Sequence, residues 1–244
     1  MLLAIDVGNT RIKAAVFEHN NMVYFEVITK NELNESIKKI KNNFSKISDL
    51  IVSSVGNLDE SVFLFESLKI KTHFVTHKSE FPFKNLYLTP DTLGIDRIIL
   101  ASGSVLLYPK QNRLIIDAGT CITYDFVDSN NNYQGGAISP GLKLRYKALN
   151  NYTDKLPLLE LQMPENYIGN QTNQAIHSGV VNGVLSEING FIENYRKDYD
   201  KITIILTGGD TEFLAKRLKN TIFANSNFLL ESLNQTFHYK IKHD

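Results

Sequence analysis

Two aspartates in this chain end apolar runs and lead at once into a glycine turn. Asp6 follows the apolar residues 2–5 and precedes Val7, Gly8, Asn9 and Thr10. Asp117 follows 114–116 and precedes Ala118, Gly119 and Thr120. A carboxylate at the end of a buried strand can hold Mg²⁺ directly or through water. A glycine beside it lets backbone N–H groups approach a phosphate closely. Thr10 and Thr120 add hydroxyl donors, and Lys13 places a positive charge beside the first turn. Gly135-Gly136 and Gly208-Gly209 give two more glycine-rich turns at strands. A single Asp-x-Gly turn is an ordinary hairpin. Two at matching places, with two Gly-Gly turns, point to a cleft that binds phosphate.

A second constellation spans 87–97, Tyr-Leu-Thr-Pro-Asp-Thr-Leu-Gly-Ile-Asp-Arg. Asp96 and Arg97 stand directly before Ile98, Ile99, Leu100 and Ala101. Two charges entering an apolar helix are costly unless each is paired or used. They form either an ion pair at a helix start, where the aspartate also complements the dipole, or part of a site. Other signatures are missing from the sequence: G-x-x-x-x-G-K-[ST], G-x-G-x-x-G after a strand, the H-R-D and D-F-G pair, G-x-S-x-G and H-E-x-x-H. The six histidines make no metal constellation. His73 and His77 are four apart, but in a strand-to-loop region where that spacing does not align them.

The elements that must position these residues read as two halves with the same opening. The first runs strand, turn, strand at 2–17, then a turn at Asn20-Asn21 and a third strand at 22–28. Leu33, Ile37 and Ile40 put a helix over 31–42. A buried strand at 50–55, a helix at 58–68 and a strand at 73–76 follow. Asp91 is read as the N-cap of a helix that runs through Leu107. At Leu114 the three-strand meander returns, with strands to Val127 and over 133–138. Helices are expected at 141–151, at 173–195 and after Asp210, with a strand at 202–206. Ile176, Val180, Val184, Ile188 and Ile192 share one face of the long helix. Its Gly179, Gly183 and Gly190 each cost about 1 kcal/mol against alanine, so the helix is either a candidate interface, where something packs close, or a glycine-weakened surface helix. The halves are taken as residues 1–110 and 111–244, two α/β domains with a cleft between them.

Composition narrows the function classes. The chain has 244 residues, and 26 Lys plus Arg balance 26 Asp plus Glu, giving zero net charge. A neutral chain has no global attraction for a phosphate backbone, so no nucleic-acid partner is expected. One cysteine, Cys121, excludes a disulfide framework and a four-cysteine zinc site. It is read as a small buried hydrophobe. No run approaches the ~20 apolar residues of a membrane span. The opening residues lack the basic region of a signal peptide, so a cytoplasmic location is expected.

The motifs Asp6-Val7-Gly8-Asn9-Thr10 with Lys13, Gly94-Ile95-Asp96-Arg97, Asp117-Ala118-Gly119-Thr120 and 135–141, Gly-Gly-Ala-Ile-Ser-Pro-Gly, occur in that order. In this order the chain resembles the type III pantothenate kinases of the acetate kinase, sugar kinase, Hsp70 and actin superfamily. The resemblance implies two ribonuclease H-like (actin-like ATPase) domains with a central cleft. It implies transfer of the ATP γ-phosphoryl group to pantothenate, the first step of coenzyme A biosynthesis. By the resemblance Asp6, Val7, Gly8, Asn9, Thr10, Arg11, Ile12 and Lys13 form the first nucleotide loop, with Asp6 organising Mg²⁺, and Thr120 contacts the nucleotide phosphates. Asp96 is then the general base. Tyr87, Gly94, Ile95, Asp96, Arg97 and Thr172 line the pantothenate pocket. Asp117 is the site of a monovalent cation, K⁺ or NH₄⁺. A homodimer is implied as well. The alternatives are a kinase for another small alcohol and a non-catalytic regulatory member of the same family.

Overall fold

Residues 2–7 are apolar apart from Asp6, which suits the middle of a sheet. β1 (Leu2–Val7) is buried along its whole length. It pairs antiparallel with β2 (Ile12–Glu18) and parallel with β4 (Asp49–Ser54). With β3 (Asn21–Ile28) and β5 (Lys71–Phe74), the order across this sheet is β3-β2-β1-β4-β5. The computed structural model describes residues 1–8, 11–54, 63, 68–218 and 222–243. Side chains alternate across a strand, so Leu3, Ile5 and Val7 face one way. They join Leu33, Ile37 and Ile40 of α1 (Leu33–Asn43) in one core. Asp6 points to the opposite face.

Chain contacts divide the molecule into two compact units. The first holds Met1–Pro109, Asn131–Tyr133 and Asn227–Asp244; the second holds Lys110–Asn130 and Gln134–Ser226. The sequence reading ends the second half at 244, but the C-terminal α6 (Phe228–His243) belongs with the first unit. It packs on α2 (Ile95–Leu107) and on β1, β2 and β4. At the crossing of α2 and α6, a Cβ on Gly103 would overlap the Ser232 side chain and lie 2.7 Å from its Cα. Ser102 and Thr236 hydroxyls bond at 2.8 Å between the same helices. α2 is therefore held by close backbone approach and a buried polar pair.

In the second unit β7 (Asn112–Ala118) lies between β8 (Cys121–Val127), antiparallel, and β10 (Ile202–Thr207), parallel. With β6 (Lys84–Asn85), β9 (Asn132–Pro140) and β11 (Phe223–Ala224), the order is β11-β10-β7-β8-β9-β6. The partners of β6 are Asn132 and Tyr133, which are grouped with the first unit. Read from the other end, β9-β8-β7-β10-β11 repeats β3-β2-β1-β4-β5. α3 (Leu142–Asn151) and the short α5 (Thr211–Ala215) complete this unit, with α4 (Thr172–Asp198), whose five-residue apolar stripe from Ile176 to Ile192 is buried.

Several expectations change. Asp91 caps no long helix: Pro90–Thr92 is one 3₁₀ turn, Leu93 is extended, and α2 begins after Gly94. Proline at the first position starts the turn, and the extended Leu93 ends it. Gly135-Gly136 is not a turn but lies inside β9, where a Cβ on Gly136 would overlap the Tyr124 carbonyl. Nothing lies within 4 Å of where Cβ atoms on Gly179, Gly183 and Gly190 would be. No described residue of this chain packs on the α4 glycines, which leaves that face open for an interface. Cys121 is exposed, because it opens β8 at the turn instead of sitting within the strand. The helix expected at 58–68 falls mostly outside the described residues.

Candidate active site

The first unit gathers a carboxylate cluster at the end of β1. Register places Lys13 opposite Asp6 on one side and Ser53 on the other, and laterally paired residues share a face. Ser53 Oγ donates to Asp6 Oδ1 at 2.9 Å. Burial pushes the Asp6 carboxyl up to about 6; the Ser53 bond and the Lys13 charge oppose this, and the negative charge of Asp96 adds to it. Asp6 thus lies within reach of one positive charge, Lys13, and one negative charge, Asp96. The hairpin beyond Asp6 is closed by Gly8 N–H to the Arg11 carbonyl at 3.1 Å. Val7 and Ile12 are fully buried in the core. Among the described loop residues, then, Gly8 and Arg11 are the ones open to a ligand. Asn9 and Thr10 lie outside the described residues.

Asp96 sits in the first turn of α2. Its Oδ1 accepts the Arg97 N–H at 2.8 Å. A Cβ on Gly94 would overlap that same oxygen, so glycine is needed for the carboxylate to fold back over the helix start. A carboxylate there complements the helix dipole. Arg97 is buried, with its guanidinium carbon 5.8 Å from the Tyr87 ring centroid. Tyr87 in turn leans on Tyr133 at 6.2 Å, and Tyr133 on Phe83 at 6.0 Å. The structure thus brings Tyr87, Gly94, Asp96 and Arg97 together in one unit. Ile95 is buried in the same helix.

The second unit repeats the strand-end arrangement with different chemistry. Asp117 has Thr123 opposite it on β8 and Thr207 on β10. Both hydroxyls are buried, and neither has a hydrogen-bond partner among the described residues. Such orphans are costly and call for a ligand or ion. Gly208, at φ 96°, packs so closely that a Cβ would overlap the Ala118 carbonyl and Asp117 Oδ1. Asp210 N–H donates to the Ala118 carbonyl at 2.9 Å. The Gly119 turn closes on the Cys121 carbonyl at 2.9 Å, and Gly141 N–H reaches the Thr120 carbonyl at 3.0 Å. Three turns, at 119–120, 140–141 and 208–210, therefore meet at the carboxyl ends of β7 and β10. Thr120 is exposed there. Thr172 is exposed at the start of α4, on the wall of a cavity of about 820 Å³ shared with Leu149, Tyr152, Ile176 and Val180.

Comparison with known proteins decides the family. Residues 2–194 match the family type III pantothenate kinase. A type III pantothenate kinase of Flavobacterium johnsoniae is 63% identical over 244 residues, covering 100% of both chains. The chain belongs to the type III pantothenate kinase family. A solved structure from Campylobacter jejuni, described as a Baf family transcriptional activator, superposes with a TM-score of 0.67 at 21% identity over 98% of this chain and 99% of that one. A glucokinase from an Antarctic psychrotroph gives 0.53 at 10% identity, with 98% of each chain covered. These likenesses establish the fold, two ribonuclease H-like α/β halves.

For a type III pantothenate kinase, several residues of note escape sequence reading. Ser53 is 47 positions from Asp6 and meets it only through parallel register. Thr123 and Thr207 are ordinary strand threonines until β7 is placed between them. Tyr133 comes to Tyr87 through two residues of pairing with β6. Among the described residues no group of three or more His, Cys, Asp or Glu could hold a metal, and no helix is long and apolar enough to cross a membrane.

Proposed function

We propose that this chain transfers the γ-phosphoryl group of ATP to the primary hydroxyl of pantothenate, giving 4′-phosphopantothenate, the first step of coenzyme A biosynthesis. The observation that carries the reading is Asp96, fixed over the start of α2 within electrostatic reach of Asp6. An alcohol is a poor nucleophile, and a carboxylate within hydrogen-bond reach takes its proton as the new bond forms. Asp96 takes that proton. Arg97 and Tyr87 orient the acceptor, and Thr172 adds a hydroxyl to its binding.

Gly8, Arg11 and Lys13, with Asn9 and Thr10, bind the nucleotide, and Thr120 contacts its phosphates. Mg²⁺ bound with ATP neutralises charge on the β- and γ-phosphates. The residue fitted to hold it is Asp6, a carboxylate whose buried charge lacks full compensation. The residues fitted to hold K⁺ or NH₄⁺ are the carboxylate Asp117 and the hydroxyls of Thr123 and Thr207, which have no hydrogen-bond partner among the described residues. A homodimer formed in the cytoplasm belongs to the same reading. Its support is the apolar wall beside Thr172, where Tyr152 stands 88% exposed, and sedimentation at micromolar concentration tests it.

The deciding experiment is ATP-dependent phosphorylation of pantothenate with Mg²⁺ and K⁺ present. Absence of turnover by folded protein overturns the reading. Asp96→Asn lowers kcat by roughly 10²–10⁴-fold with folding retained. Near-normal turnover removes Asp96 as the base. A panel of other alcohols in the same assay separates pantothenate from a different acceptor.

A further inference from the structure

The second unit contains a polar cluster to which no role has yet been given. Glu187 lies on α4, about four turns beyond Thr172. Its carboxylate accepts from three elements: Arg145 Nη2 on α3 at 2.6 Å, Tyr124 Oη on β8 at 2.8 Å and Ser139 Oγ on β9 at 2.5 Å. Arg145 uses its other arm differently, donating from Nε to the Pro140 carbonyl at 2.8 Å. The segment Ser139-Pro140-Gly141 is thus gripped from one side by an ion pair.

On its other side this segment lies flush against the Gly119-Thr120 turn. Gly141 N–H donates to the Thr120 carbonyl at 3.0 Å. A Cβ on Gly141 would overlap the Gly119 carbonyl oxygen and lie 2.6 Å from that of Thr120. Any shift of Pro140-Gly141 is therefore passed directly to Thr120, because the two backbones touch with no compressible side chain between them.

The charge states are fixed. Burial pushes the Glu187 carboxyl up, but the bonds from Arg145, Ser139 and Tyr124 outweigh it and hold it below its ordinary value. Burial, then the bond to Glu187, raises the Tyr124 phenol, so it remains a donor. The Arg145 and Glu187 side chains are 23% and 25% exposed, which makes the Coulombic gain modest. What the arrangement supplies is direction: a planar guanidinium with one arm on a carboxylate and one on a carbonyl cannot be replaced by a lysine.

We propose that Glu187 and Arg145 are positioning residues that set the Gly119-Thr120 turn, through Pro140-Gly141, at the place where nucleotide phosphates bind. This rests on the reading of Thr120 as a phosphate contact. A displacement of about 1 Å in a positioned group can cost up to 10²-fold, so a tenfold effect on nucleotide binding is expected.

The test is steady-state kinetics with ATP and pantothenate varied separately. Glu187→Gln should raise KM for ATP about tenfold and leave KM for pantothenate within about twofold; Arg145→Ala should raise KM for ATP as much, and is read on ATP alone because Arg145 also lines the cavity at Thr172. Arg145→Lys should fall between Arg145→Ala and the parent, and added guanidinium should recover part of the loss in Arg145→Ala. Tyr146→Phe is the control. It removes another polar link between α3 and α4, the 2.8 Å bond from Tyr146 to His177, without touching the 139–141 segment, and should leave KM for ATP unchanged. If Glu187→Gln fails to fold, Arg145→Lys and Ser139→Ala carry the measurement. A KM for ATP unchanged in folded variants overturns the proposal, as does an equal rise in both KM values in Glu187→Gln or Ser139→Ala, or the same rise in Tyr146→Phe. Thr120→Ala separates the two readings: if it leaves KM for ATP unchanged, the assignment of Thr120 fails, whatever Glu187→Gln does.

Discussion

Asp6 and Asp117 occupy the same place in two similar sheets, each on a central strand between one antiparallel and one parallel neighbour. Their flanking residues differ. Asp6 has Lys13 and Ser53, a built-in cation and a hydroxyl that bonds to it. Asp117 has Thr123 and Thr207, two neutral hydroxyls with no hydrogen-bond partner among the described residues. The turns differ too: four residues separate the paired Val7 and Ile12, but three separate Ala118 and Ile122. One half has a lysine beside its carboxylate; the other has two hydroxyls there, which on the proposed reading face a bound cation. A repeated fold can thus keep the position of a carboxylate and change its task through the two residues beside it in the sheet.

The largest effect that tests this contrast is expected from Asp6→Asn. Loss of the charge fitted to Mg²⁺ should lower kcat/KM about 10²–10³-fold, as measured by pantothenate turnover. A drop no greater than that of Asp117→Asn would erase the distinction between the halves. Next comes stability in metal-free protein. The Asp6 carboxyl has been pushed by burial from 3.8 up to about 6. Between these values the native state keeps a proton that the unfolded chain has lost, so the stability contributed falls as pH rises through that window, by at most about 3 kcal/mol, and is level above it. Urea unfolding should therefore find Asp6→Asn more stable than the parent at about pH 8, with the gap closing toward about pH 4. A gap independent of pH would contradict this.

Asp117→Asn should cost about 10–100-fold in turnover and leave K⁺ and Na⁺ indistinguishable. Thr123→Lys makes the comparison sharper. It gives the second half the lysine of the first, and its ammonium should make turnover independent of added K⁺. Continued K⁺ dependence in folded protein would show that residue 123 does not face the cation. The smallest effect is that of Thr207→Val, which removes one hydroxyl worth about 1 kcal/mol. Half-saturation should need roughly fivefold more K⁺, while in K⁺-free buffer the variant should be slightly more stable, since a buried orphan is gone.

What the sequence made legible follows physical range. The strand–Asp–x–Gly openings are local patterns, and the apolar stripe of α4 repeats every turn, so both were visible without tertiary information. The start of α2 was misplaced because Pro90 and Asp91 are good helix starters, and nothing local says that Leu93 will be extended. Cys121 reads as buried because it is a small hydrophobe, yet it lies in the turn before the first paired residue of β8, and is exposed there as Arg11 is in the first half. Ser53, Thr207 and Glu187 were invisible as site residues for a common reason. Each meets its partner through register or helix packing over tens of residues, and a lone Ser, Thr or Glu carries no signal of that.

The return of α6 to the first unit also governs how the protein comes into being. α2, which carries Asp96, is backed by a helix that follows the whole second unit in the chain, with Gly103 set against Ser232. During synthesis the first unit waits, with that side of α2 uncovered, until residues 228–243 leave the ribosome, whereas the second unit is complete earlier. A chain that stops short of α6 would keep both aspartate turns and yet lack the support beneath the helix that carries Asp96.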